Sequence, residues 1–171
     1  MLRTFLVAPL AALVVTASAF AQEDRVLTLP ADYKAAFDNY YINDRQIQED
    51  QVISLYANEV ARAGAKAGTL PDGSILVGEL YSAKKDSDGV VIESALGRRI
   101  AGELKAIVVM ERRADWAAQY ADDLKVGGWE FEVFSPAGEN LGKDTTACRE
   151  CHAPLGDSEY LFSLEHLAAA N

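Results

Sequence analysis

Cysteine, histidine and methionine are all scarce in this 171-residue sequence, at two each. Two cysteines exclude the dense disulfide framework of small secreted scaffolds. With only two histidines beside them, the chain has material for at most one small metal or redox site. Basic residues are also few: 16 Lys and Arg stand against 26 Asp and Glu, a net charge of −10. Such a surface repels phosphate backbones and argues against a nucleic-acid role. Five prolines and twelve glycines in a chain that is 50% hydrophobic rule out collagen-like, low-complexity and disordered classes. What is there is a globular composition, at a length that makes one domain the expectation.

Long apolar runs are missing, apart from the N-terminus. Residues 1–21 read MLRTFLVAPLAALVVTASAFA, with Arg3 ahead of an apolar stretch from Phe5 to Val15. Ala19-Phe20-Ala21 then supplies a small-x-small cleavage pattern. These are the three parts of a secretory signal peptide. The apolar run is too short for a membrane span, which needs about 20 residues. The expectation is a signal peptide at 1–21 and an exported, periplasmic or secreted, acidic domain at 22–171.

Within that domain, Tyr33, Phe37 and Tyr40 fall at helical spacing and predict a short helix over 31–41. Asn43-Asp44 offers cap chemistry for a longer helix from about Arg45 to Ala67, with Ile53, Tyr56 and Val60 on its stripe. After the Pro71-Asp72-Gly73 turn the period changes to alternation. Ile75, Val77 and Tyr81 share one face of a first strand; Leu76, Gly78 and Leu80 share the other. Asp86-Ser87-Asp88-Gly89 reads as a hairpin turn into a second strand over 90–95. A third strand covers 103–113, where Leu104, Ala106, Val108 and Met110 alternate with Lys105, Ile107, Val109 and Glu111. Trp116 and Tyr120 mark a crossover helix over 114–124, and Gly127-Gly128 opens a fourth strand over 129–135. Helices first and turn-linked strands afterwards predict an α+β fold with a mainly antiparallel sheet.

The chemistry is concentrated in Cys148-Arg149-Glu150-Cys151-His152. This C-x-x-C-H spacing is the haem c attachment pattern. Two intervening residues let both sulfurs reach the two vinyl groups of one porphyrin. The next residue, His152, then lies under the ring, where its imidazole can ligate the iron. The same residues admit a disulfide between Cys148 and Cys151, a thioredoxin-like dithiol, or zinc held with one or both histidines. The sixth iron position has few candidates. Met110 sits on a patterned strand and suits core packing, and His166 lies in a solvated C-terminal segment. An open sixth position follows, fit for small ligands; a six-coordinate electron shuttle would need one of those two residues.

The order of motifs around C-x-x-C-H is more specific than the motif itself. Trp116 and Tyr120 precede Gly127-Gly128-Trp129-Glu130-Phe131 and Phe134; Pro136, Gly138 and Ala147-Cys148-x-x-Cys151-His152 follow, then Glu159-Tyr160-Leu161-Phe162. Together with Ile53, Tyr56-Ala57-Asn58 and Leu70-Pro71-Asp72-Gly73-Ser74, this resembles cytochrome P-460 and its relative cytochrome c′-β over about residues 45–163. The resemblance implies one covalent haem c per chain, five-coordinate iron with His152 as proximal ligand, and a homodimer. It implies either nitric oxide binding in an apolar pocket, as in cytochrome c′-β, or hydroxylamine oxidation coupled to electron transfer to a redox partner, as in cytochrome P-460. In the latter a lysine is bonded to the porphyrin edge. The matching pattern here, Asp72-Gly73-Ser74-Ile75-Leu76-Val77-Gly78-Glu79, puts Gly78 at that place. Gly78 cannot crosslink anything, which argues against hydroxylamine oxidation and for gas binding. Leu76, Leu80, Phe131, Val133 and Phe134 are the candidate distal linings, and Glu130, Glu132 and Asp144 the candidate distal acids.

Overall fold

The computed structural model describes residues 27–170; the signal-peptide reading at 1–21 lies outside them. A five-stranded antiparallel sheet in the order β1-β2-β3-β4-β5 organises the chain. Its strands are β1 (Asp38–Asp44), β2 (Gln51–Ala57), β3 (Ile75–Ala83), β4 (Ala101–Arg112) and β5 (Trp129–Phe134). Helices α1 (Tyr33–Ala36), α2 (Glu59–Ala67), α3 (Thr146–His152) and α4 (Leu164–Ala169) flank it. The α+β expectation is met. No described helix is long and apolar enough to cross a membrane.

The first part of the chain differs from its sequence reading. Residues 45–67 do not form one helix: β1 and β2 pair as a hairpin, and only Glu59–Ala67 is helical. Val52, Ser54 and Ala57 are all buried, so β2 is covered on both faces and shows no clean alternation. Its Ile53 and Tyr56 therefore mimic a helical stripe. The true N-cap is Asn58, whose side chain accepts from the Ala61 amide and donates to the Gly73 carbonyl. The strand expected over 90–95 is also absent from the sheet. Residues 84–100 form an excursion with isolated bridges at Lys85–Val91 and Glu93–Arg99. The crossover over 114–124 consists of 3-10 turns at Ala114–Gln119 and Asp122–Leu124.

The alternation in β3 and β5 is as read, and so is that of β4 from Ala106 to Glu111; at Lys105 the register shifts, so Leu104 packs with Ile107 and Val109 instead of sharing the face of Val108 and Met110. Val77, Ile107, Val109 and Phe134 pack on one side of the sheet with Leu27, Tyr33 and Trp116. Leu76, Trp129 and Phe131 pack on the other with α2, Leu161 and Leu167. Buried on the first side is Glu79, only 1% exposed. It accepts from Tyr33 at 2.6 Å, Tyr81 at 2.7 Å and Tyr56 at 3.1 Å, and pairs with Lys34 at 2.7 Å. Four donors satisfy a carboxylate that burial alone would penalise, and they tie α1 to the sheet.

This cluster sets two pH limits. Burial pushes the Glu79 carboxyl up, but its bonds to Lys34, Tyr33 and Tyr81 outweigh that and hold it below the ordinary range. A depressed carboxylate contributes stability above its unfolded pKa of about 4.3 and loses it as pH falls through the folded value. Burial and Glu79 push Tyr33 and Tyr81 up. Their contribution is present below about pH 10 and is lost as pH rises. Urea midpoints measured against pH are expected to fall on both sides, and Glu79→Gln is expected to flatten the acid side. An unchanged acid limb in that variant would refute the assignment.

Candidate functional site

α3 brings Cys148, Cys151 and His152 to one wall of a cavity of about 550 Å³. Contacts at its start and along its buried side hold this helix in place. Thr146 at its start is bonded to the Asp144 carboxylate. Arg149, between the two cysteines, points away from the cavity into the protein, where it is 2% exposed. It pairs with Glu130 of β5, donates to the Trp129 carbonyl at 3.2 Å, and stacks 3.5 Å over the Tyr120 ring. Glu130, read as a candidate distal acid, is therefore a structural partner of α3. Glu132 bonds the Val133 amide, and neither it nor Asp144 lines the cavity.

Both thiols are free, Cys148 half-buried and Cys151 exposed. Burial pushes the Cys148 thiol up, against the pull of Arg45. The His152 ring lies between Phe131 and Phe162, each 5.1 Å away by ring centre. Its Nδ1 lies 2.6 Å from the Tyr160 carbonyl. A carbonyl only accepts, so Nδ1 carries the proton and Nε2 keeps its lone pair. Burial lowers the imidazole below its ordinary pKa, against that hydrogen bond. His152 is thus held neutral, in the tautomer that can bind a metal through Nε2.

The sheet forms another wall. Ile53, Leu55, Leu76, Gly78, Leu80, Val108, Met110 and Phe131 line it. Register explains the grouping: Leu55 pairs with Gly78 and Gly78 with Val108, while Leu76 pairs with Met110 and Met110 with Phe131. Of the expected linings, Leu76, Leu80 and Phe131 are here. Phe134 is not, because it faces the opposite core, and Val133 stays outside the lining. Gly78 sits close under its neighbours: a Cβ would stand 2.8 Å from Val108 Cγ2 and 3.2 Å from Leu55 Cδ2, so these methyls would have to shift to admit a side chain.

A polar rim completes the cavity, and sequence reasoning missed it. Tyr40, Tyr41, Asn43, Asp44, Arg45 and Gln46 come from β1 and the turn after it, where the sequence reading has the end of one helix, a cap at Asn43-Asp44 and the start of the next. Arg99 clamps that turn by donating to the carbonyls of Arg45, Gln48 and Gln51 at 3.0–3.2 Å. His166 stacks on Tyr41 from α4 and does not line the cavity. Met110 lines it and also packs against the core. Among the described residues, no three His, Cys, Asp or Glu side chains cluster as a metal site, which removes support from the zinc alternative.

An apolar cavity of this size, with a neutral imidazole and two free thiols on one wall, fits a haem. Fold and site together define a haem-binding cytochrome. More narrowly, the family model for Cytochrome P460 matches residues 30–163, and the chain belongs to that family. No curated protein matches the chain significantly.

Proposed function

We propose an exported c-type haem protein whose five-coordinate iron binds small uncharged ligands such as nitric oxide. Cys148 and Cys151 would form the two thioethers to one haem, and His152 Nε2 would ligate the iron. Bound there, the haem supplies an iron with one open position. The observation that carries the ligand class is the cavity wall from β2 to β5. It offers only aliphatic, methionine and phenylalanine side chains, with no lysine and no carboxylate. Such a wall excludes water and favours small apolar ligands. At Gly78, where the resemblance puts a crosslinking lysine, there is no side chain, and the methyls of Leu55 and Val108 close in on the place a Cβ would take. Proton transfer from hydroxylamine would need an acid or base placed over the iron; this wall supplies none, and the carboxylate among the described lining residues, Asp44, stands in the rim, where it accepts from the Arg99 amide. The homodimer and a redox partner implied by the resemblance belong to the same proposal.

The test is an absorption spectrum of the ferrous protein with and without nitric oxide. The expected result is a five-coordinate spectrum that changes on adding the gas. Met110→Leu conserves volume and is expected to leave that spectrum unaltered. A low-spin wild-type spectrum that turns high-spin in Met110→Leu would make Met110 an axial ligand and the protein an electron shuttle. Hydroxylamine-dependent reduction of an electron acceptor, with a red-shifted Soret band, would favour the oxidase.

A further inference from the structure

Among the described residues, Glu159 and Tyr160 are the non-glycine positions with positive φ, at 53° and 63°. Two consecutive left-handed residues that carry a Cβ are costly and persist only where their surroundings over-determine them. Here they do. The amides of Glu159, Tyr160 and Leu161 donate to the carbonyls of Gly156, Leu155 and Ser158 at 3.2, 2.8 and 2.9 Å. The Glu159 carbonyl accepts from the Trp129 indole at 3.1 Å. The Tyr160 carbonyl accepts from His152 Nδ1 at 2.6 Å. The Tyr160 ring lies in a slot above Gly127, whose φ is +57° and whose Cβ, were there one, would stand 2.7 Å from Tyr160 Cδ2.

We propose that the Tyr160 ring, seated on Gly127, is a positioning device for the iron. It holds the Glu159-Tyr160 turn left-handed and so aims the Tyr160 carbonyl at His152 Nδ1. An imidazole that donates its second N–H to a good acceptor is more basic and is fixed in orientation. The seat of this ring therefore sets how strongly His152 donates to the metal. A backbone carbonyl cannot be substituted, so its aim depends on the side chain beside it. The inference rests on His152 being the iron ligand, as proposed above.

Resonance Raman of the ferrous, haem-loaded protein reads the iron–histidine stretch directly. In Tyr160→Ala that band is expected to move to lower frequency and the midpoint potential to rise. In Tyr160→Phe, which keeps the ring, both are expected to match wild type. Thermal midpoints measured alongside separate packing from positioning. A Tyr160→Ala protein that is less stable but has an unshifted band and potential would overturn the proposal. So would a shift in Tyr160→Phe, which would assign the effect to the hydroxyl. Should Tyr160→Ala not accumulate with haem, Tyr160→Leu is read the same way, with a smaller shift expected and an unshifted band overturning. Absence of any iron–histidine band in the wild type would overturn the five-coordinate iron proposed above instead.

Discussion

Arg149→Met is expected to cost about 3–5 kcal/mol of stability, because it strands a buried charge. Glu130 is 6% exposed, and its carboxylate would lose its guanidinium partner in a place water does not reach. It would keep the Tyr120 hydroxyl at 2.6 Å and the Phe131 amide at 3.0 Å. The Trp129 carbonyl would lose a donor as well. The pair itself contributes less than the cost of breaking it, since removing two charges from water offsets most of their attraction. Glu130→Gln with Arg149→Met is therefore expected to recover most of the loss. Tyr120 and Phe131 use different carboxylate oxygens, so the amide oxygen of the substituted side chain would accept from the Phe131 amide while its NH2 donates to the Tyr120 hydroxyl, and no charge would remain unpaired. Urea unfolding of both variants and of Glu130→Gln alone closes the cycle. A single Arg149→Met within about 1 kcal/mol of wild type, the range of exposed pairs, would show that water reaches this pair.

The position of that pair explains why an attachment motif contains a buried arginine. α3 is seven residues long, too short to be stable by itself. Its cysteines and histidine face the cavity, where the His152 ring packs against Phe131 of β5 but makes its hydrogen bond to Tyr160 and not to the sheet. Arg149 anchors it to the sheet from the opposite side, and the Cys-x-x-Cys spacing makes that side available. The motif was legible because its spacing is chemical. The anchor was not, since an arginine between two cysteines reads as solvent-facing until Glu130 is seen across from it.

The same division runs through the fold. β3, β4 and β5 were legible because each presents one face to the cavity and one to the second core, so apolar and small residues alternate with others in step. β2 was not, because Ile53, Tyr56 and Val60 fall at helical spacing and only Asn58 separates β2 from α2, with no turn residues to mark the change. β1 was not either, as the polar run Asp38–Asp44 at a sheet edge has no apolar period to read. The rim of the cavity was lost with it: Tyr40, Tyr41 and Arg45 take their place from β1 and the turn that follows. The left-handed Glu159-Tyr160 turn leaves no local mark, because nothing but tertiary contact holds two such residues there. Gly127-Gly128 reads in the sequence as the opening of a strand, and that the Tyr160 ring comes to lie on Gly127 is a matter of packing.

The largest effect is expected at the cysteines. Cys148→Ala with Cys151→Ala is expected to abolish covalently held haem completely, while the fold survives. Neither thiol makes a disulfide, and neither is among the large fully buried side chains, so two alanines leave the core intact. Any haem then retained would be held by His152 and the apolar walls alone. It would be extracted by acid and organic solvent, which cannot break a thioether. Each single variant is expected to keep one thioether and one intact vinyl group. An intact vinyl extends the conjugation of the ring, so the reduced bands should move to the red in both single variants. The control is thiol titration of the wild type, matured in a host that attaches haem. Two free thiols, or a disulfide released by reductant, would return Cys148 and Cys151 to redox chemistry. No titratable thiol, with haem surviving extraction, is the result that two thioethers on one helix require.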